Sequence, residues 1–136
     1  MAVFTLLPYQ NTYIAEWYST TNFTNRKALF LSRYLRNGDI YRSLIQFDLQ
    51  QIPPLSTIET AELELTMYRN EVTKSTTVTA HRLLSNWTGN QVVWNTQPNY
   101  SAEPDSEILI SPKTLSTQRI NITSLVKGWH NGSIPN

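Results

Sequence analysis

The sequence predicts an all-β protein, a jelly-roll-like β-sandwich with one short C-terminal helix. Three observations carry that reading. Apolar residues recur with a period of two in several short segments, turn residues separate those segments, and one stretch near the C-terminus changes to the helical period. Residues 61–68 are the clearest strand. Ala61, Leu63, Leu65 and Met67 alternate with Glu62, Glu64, Thr66 and Tyr68, a pattern that a helix would scatter around its circumference. Over residues 41–49, Tyr41, Ser43, Ile45, Phe47 and Leu49 share one face. Arg42, Gln46 and Asp48 take the other, with Leu44 as an exception. Residues 27–34 set Leu29 and Leu31 against Ala28, Phe30 and Tyr34, which predicts burial on both faces. Residues 76–84 are β-branched at Thr77, Val78 and Thr79. Shorter strands are expected over residues 3–7, 12–17, 91–94, 107–110 and 117–122.

The punctuation agrees with these segments. Asn37-Gly38-Asp39 reads as a tight hairpin turn, because Asn-Gly supplies the positive φ such turns need. Pro53-Pro54 forces a loop, and Pro98, Pro104 and Pro112 mark irregular chain. Ile122, Leu125, Val126 and Trp129 fall on one helical face. Thr123 is the expected N-cap and Asn131-Gly132 the expected stop. With 136 residues, the chain is read as a single domain, 1–136.

Composition narrows the function classes. Hydrophobic residues make up 40%, enough for a packed core, while charged residues make up only 15%. Ser, Thr and Asn supply the remaining polar surface. The net charge is +1. The densest basic stretch, Arg26, Lys27, Arg33, Arg36 and Arg42, is split between strand faces, so these read as solvated charges and not as a track for phosphates. Nucleic acid is therefore not an expected partner. No apolar run is long enough for membrane insertion, and the first nine residues lack the features of a signal peptide. There is no cysteine, which excludes disulfides, thiol catalysis and thiolate metal sites.

Three stretches taken in order resemble the bacterial DNRLRE domain, a β-sandwich family grouped with carbohydrate-binding modules. The first is the run 41–49, followed by Ile52-Pro53 and by 58–65. The second is Trp87-Thr88-Gly89-Asn90-Gln91-Val92-Val93-Trp94-Asn95 with Pro98. The third is the run 122–129. Asn11-Thr12-Tyr13-Ile14 and Thr21-Asn22-Phe23 also fit, so the likeness covers nearly the whole chain. It implies a sandwich found on extracellular enzymes and surface proteins, and it does not imply catalysis. The sequence departs from the family at Asn11 (usually Asp), at Thr24 (usually Gly) and at Gly89 (usually acidic). Members also usually continue past the helix with two more strands, which implies that this chain is either truncated or completed by a strand from another chain.

Candidate sites follow from residue types. His81 and His130 are the only imidazoles, and no carboxylate stands at a suggestive spacing from either, so both read as structural. Glu62 and Glu64 share a strand face about 7 Å apart by strand rise, but an exposed face does not raise a carboxyl pKa for acid catalysis. The protein is expected not to be an enzyme. Glu103, Asp105 and Glu107 are weak calcium candidates, and calcium is the one cofactor for which the sequence leaves room. Trp17, Tyr18 and Tyr68 are expected at strand ends or on outward faces, where sugar rings stack, as are Tyr34 and Tyr41. Trp87, Trp94 and Trp129 are assigned to packing. Val3, Phe4, Leu6 and Leu7 form an apolar segment suited to strand donation.

The leading expectation is a non-catalytic structural subunit of a bacterial extracellular, cell-surface or spore-surface fibre or layer. It would self-associate as a homopolymer by strand donation. The alternative is a carbohydrate-binding module from a larger extracellular protein, with polysaccharide as its partner.

Overall fold

In the computed structural model, residues 2–33 and 36–136 are described. The fold class is the one predicted from the sequence. Short antiparallel strands dominate, one helix lies near the C-terminus, and the class is that of an all-β sandwich protein. The strands are β1 (Gln10–Ala15), β2 (Ser32–Arg33), β3 (Ile40–Gln46), β4 (Glu62–Thr66), β5 (Thr76–Ala80), β6 (Ser106–Ile110) and β7 (Thr117–Asn121). The helix is α1 (Thr123–Asn131), and a single 3₁₀ turn covers Trp94–Thr96. No helix among the described residues is long and apolar enough to cross a membrane. The chain divides into two compact units. The first is Met1–Ile52 with Ser85–Asn99 and Asn136; the second is Pro53–Leu84 with Tyr100–Pro135.

The first unit is built on the antiparallel sheet β1-β3-β2. Its register runs from Gln10 opposite Gln46 to Ala15 opposite Tyr41, with Ser32 opposite Tyr41 and Arg33 opposite Ile40. Thr12, Tyr13, Ile14 and Ala15 are all buried, so both faces of β1 are covered. On one face Tyr13 stacks on Phe23 at 4.4 Å between ring centroids, and it meets Phe30 edge-on at 5.0 Å and Tyr41 at 6.0 Å. Edge-to-face and offset pairs of this kind contribute about 0.5–1.5 kcal/mol each beyond area burial. On the other face lie fully buried Ile14 and buried Leu44. Leu44, the exception to the alternation of residues 41–49, thus marks a second covered face. The connection from Arg33 to Ile40 is longer than a tight two-residue hairpin. Gly38 supplies a positive φ in it, at 79°. The expected strand over 27–34 shrinks to the two residues of β2, and its last residue, Tyr34, lies outside the described residues.

Residues 91–94 do not form the expected strand. The Gln91 and Val92 amides both donate to the Thr88 carbonyl, at 3.0 and 2.9 Å, which curls the chain. Side chains then take up the groups a neighbouring strand would have used. The Asn22 Nδ2 amide donates to the carbonyls of Gly89 (2.8 Å) and Val92 (2.7 Å), and its Oδ1 accepts from the Thr24 amide (3.0 Å). Gln10 adds a second tie. Its Oε1 accepts from the Gly89 amide at 2.8 Å, and its Nε2 donates to the Trp87 carbonyl at 3.1 Å.

The second unit contains two antiparallel pairs, β4 with β7 and β5 with β6. β4 reads as the sequence predicts: Leu63 and Leu65 are half-buried, while Glu62, Glu64 and Thr66 are exposed. Ile110, Ile120, Ile122, Leu125 and Val126 form the buried apolar set. Asn70 repeats the device of Asn22. Its Nδ2 donates to the carbonyls of Ser111 and Thr114, both at 3.0 Å, and its Oδ1 accepts from the Val72 amide at 3.0 Å.

The helix start differs from the expected one. Thr123 is the first helical residue, not the cap. Its hydroxyl is engaged with Ala61 and Asn121, and the Asn121 Oδ1 accepts from the Thr123 amide at 3.0 Å. The expected stop holds: Gly132 is left-handed at φ 81°, a conformation that costs glycine little. The chain then turns back so that the Ile134 amide donates to the Gly128 carbonyl at 3.0 Å. A side chain at Gly128 would collide with Ile134.

The expected strand over residues 3–7 is also absent. Tyr9 donates to the Gln46 carbonyl at 2.7 Å, and β3 ends at Gln46, so no rung lies beyond. Val3, Phe4 and Leu7 remain exposed.

Candidate functional site

Trp17 and Tyr18 sit on the turn that leaves β1. Two backbone hydrogen bonds shape it, Tyr18 amide to Ala15 carbonyl (3.1 Å) and Thr21 amide to Tyr18 carbonyl (3.0 Å). The Asn95 amide also holds the Ser19 carbonyl at 3.1 Å. The turn leaves Trp17 53% and Tyr18 50% exposed, a large amount for rings so close to the core strand.

Each ring has a packing partner. The Arg36 guanidinium lies over the Trp17 ring at 4.2 Å from its centroid. Such a contact contributes about 0.5–1 kcal/mol at an exposed site. Arg36 is itself anchored, because its Nε donates to the Asp39 Oδ2 at 2.6 Å and Asp39 is buried. Tyr18 rests edge-on against Phe23 at 6.3 Å, and Phe23 stacks on Tyr13. The second arginine–tryptophan pair of this unit is more enclosed. Arg42 lies over half-buried Trp94 at 4.8 Å and donates through Nη1 to the Gln97 Oε1 at 2.8 Å. Two of the five cations in the basic stretch are thus committed to tryptophan rings.

The sequence-named aromatics do not all converge. Trp17 and Tyr18 share one turn. Tyr68 belongs to the second unit, is 66% exposed, and makes no ring contact among the described residues. Tyr41, on the face it shares with Ile45 and Phe47, packs against the Tyr13 cluster. Tyr34 lies outside the described residues. Arg36 was not among the site residues expected from sequence. Its signal was an arginine next to the Asn-Gly turn, but its ring partner is far away in the chain.

The remaining candidates have structural partners. His81 bonds the Ser101 carbonyl through Nδ1 (2.7 Å) and the Thr79 hydroxyl through Nε2 (2.9 Å). The His130 Nε2 bonds the Ser56 carbonyl at 3.1 Å. Glu62 and Glu64 are exposed, and Glu64 pairs with Arg119 at 3.0 Å. The calcium candidates are not gathered into a site. Asp105 is clasped by Arg82, whose backbone amide reaches Oδ2 (2.8 Å) while Nε and Nη2 reach Oδ1 (3.1 and 2.6 Å). Glu103 and Glu107 are exposed, and no group of three His, Cys, Asp or Glu among the described residues could hold a metal ion.

This clasp sets a pH dependence. Partial burial opposes the charge on Asp105. The hydrogen bonds from the Arg82 side chain and backbone, with the positive charges of Arg82 and His81, outweigh that and hold the carboxyl below its ordinary range. A carboxyl depressed in the folded state stabilises the fold above its unfolded pKa of about 3.9 and loses that contribution as pH falls through the folded value. Asp105→Asn is expected to melt lower than wild type at neutral pH. The gap should close in acid below pH about 4, as read by thermal melts across a pH series.

Comparison with curated protein sequences finds no match. The likeness to carbohydrate-binding modules drawn from the motif order is met at the level of families: over residues 2–134 the chain matches the model of carbohydrate-binding module family 96, and it belongs to that family.

Proposed function

We propose that the protein is a non-catalytic module that binds polysaccharide in the extracellular space or at a cell surface, and that its docking platform is the Trp17–Tyr18 turn. The family supports a binding module over a fibre-forming structural subunit, so the alternative expected from sequence becomes the leading reading. One observation carries the platform: an indole that is 53% exposed yet clamped by an anchored arginine. A pre-positioned ring loses little conformational freedom when a sugar stacks on it, which is what raises affinity at a shallow site. Arg36 occupies one face of the indole, and we read the exposed part of the ring as the surface for the C–H face of a pyranose. The Asp39 contact uses Nε, and the Arg36 Nη groups make no hydrogen bond among the described residues. They serve here as donors to sugar oxygens. The match spans both compact units, and we read the whole chain as one module.

The test is gel retardation of the whole chain against a panel of soluble polysaccharides, followed by calorimetry on those that retard it. Trp17→Ala is expected to weaken binding by about tenfold or more, equivalent to about 1.4 kcal/mol. Tyr68→Ala, in the other unit, should leave binding within about twofold. Retardation by no glycan, or retardation indifferent to Trp17→Ala, would remove the proposal.

A further inference from the structure

The residues before β1 form an arm whose backbone pairs with no strand among the described residues. Val3 is 86%, Phe4 46%, Leu7 84% and Tyr9 71% exposed. Residues 2–8 make no backbone hydrogen bond among the described residues; the first is that of Tyr9 to Gln46. The run Ala2-Val3-Phe4-Thr5-Leu6-Leu7 has no charge, no glycine and no proline, and it is rich in β-formers. An extended apolar segment with unpaired backbone groups is a template for sheet addition.

An acceptor of the same chemistry lies in the second unit. β5 pairs only with β6 among the described strands, so its outer edge has no strand beside it. Native edges are usually guarded by charge, proline, a bulge or brevity. β5, Thr76-Thr77-Val78-Thr79-Ala80, has no charge and no proline, and Thr76, Thr77 and Thr79 are exposed. The other strands differ. β4 carries Glu62 and Glu64, β7 carries Arg119, β6 carries Glu107, and β2 has two residues with Arg33 among them. β1 is uncharged, but most of it is buried. Six extended residues span about 20 Å, more than the length of a five-residue strand. Val3, Thr5 and Leu7 would then share one face of the added strand, and Phe4 and Leu6 the other.

We infer that the arm of one copy adds as an edge strand to β5 of a second copy of this chain. Donor and acceptor are present once each per chain, so the exchange supplies both in equal number. Backbone hydrogen bonds hold the added strand, and its apolar side chains leave water.

Analytical ultracentrifugation of the whole chain over a wide concentration range tests this. Wild type should gain mass with concentration. Val3→Asp with Leu7→Asp on the arm, and separately Thr77→Lys on the edge, should each raise the dissociation constant by about tenfold or more. All three positions are exposed, so the variants should still fold; far-ultraviolet circular dichroism checks that. Mixing the two variants is the decisive arm. The edge-blocked copy still has a sound arm and the arm-blocked copy a sound edge, so a one-to-one complex should return. A chain that stays monomeric at millimolar concentration overturns the inference, as does association that ignores either variant or a mixture that does not recover. Glycan retardation of the arm variant is expected to match wild type, so the outcome is independent of the Trp17 platform.

Discussion

Asn22→Asp is expected to lower stability by about 3–5 kcal/mol at neutral pH, one of the largest effects of any single exchange of nearly equal volume in this protein. The Asn22 Nδ2 amide donates to two carbonyls, and both partners, Gly89 and Val92, are buried. Aspartate keeps the shape and removes both donors. Each carbonyl then loses its partner, at about 1–3 kcal/mol apiece, and a carboxylate oxygen is pressed against both. The charge makes the pH response diagnostic. Repulsion from two carbonyls raises the folded pKa of the new carboxyl, so the variant should regain stability as pH falls through that raised value. Acid therefore acts here in the sense opposite to its effect on Asp105. Thermal melts of wild type, Asn22→Asp and Asn22→Ala at neutral and acid pH check this. A neutral-pH loss no larger for aspartate than for alanine would sink the reading.

Ile14→Ala is expected to cost about 3–4 kcal/mol, the range for emptying a well-packed apolar site. Ile14 has no exposed surface and sits on β1, the strand of the first unit buried on both faces. Its neighbours in the sheet are held by the ladder to β3, so the space cannot readily collapse. Leu55→Ala is the matched control. Leu55 is 98% exposed, and its loss should fall within about 0.5 kcal/mol of zero. Urea unfolding of both variants gives the comparison, and equal midpoints would contradict the assignment of Ile14 to the core.

The features legible in the sequence were those that depend on neighbours along the chain. Strand alternation in β4, the positive φ of Gly38 and Gly132, and the helical face of Leu125 and Val126 all follow from local spacing. The losses came where a distant partner decides. Residues 91–94 look like a strand until Asn22 takes the carbonyls of Val92 and of Gly89 just before them, and residues 3–7 until β3 ends too soon to pair with them. Thr123 looks like a cap until Ala61 claims its hydroxyl. The site follows the same division. Trp17 and Tyr18 could be named as rings at the end of an expected strand, and both are exposed. Arg36 could not be assigned to Trp17, because the stacking joins two loops that sequence spacing does not relate.

The paired asparagines, Asn22 in one unit and Asn70 in the other, have a consequence for the settings in which the molecule can work. Each joins distant loops through an amide and two carbonyls. Such a joint carries no formal charge, so dissolved electrolyte does not screen it, and it has no proton to gain or lose between acid and alkali. The loop that Asn22 ties to Gly89 and Val92 is thereby fastened by contacts indifferent to added salt and to acid alike.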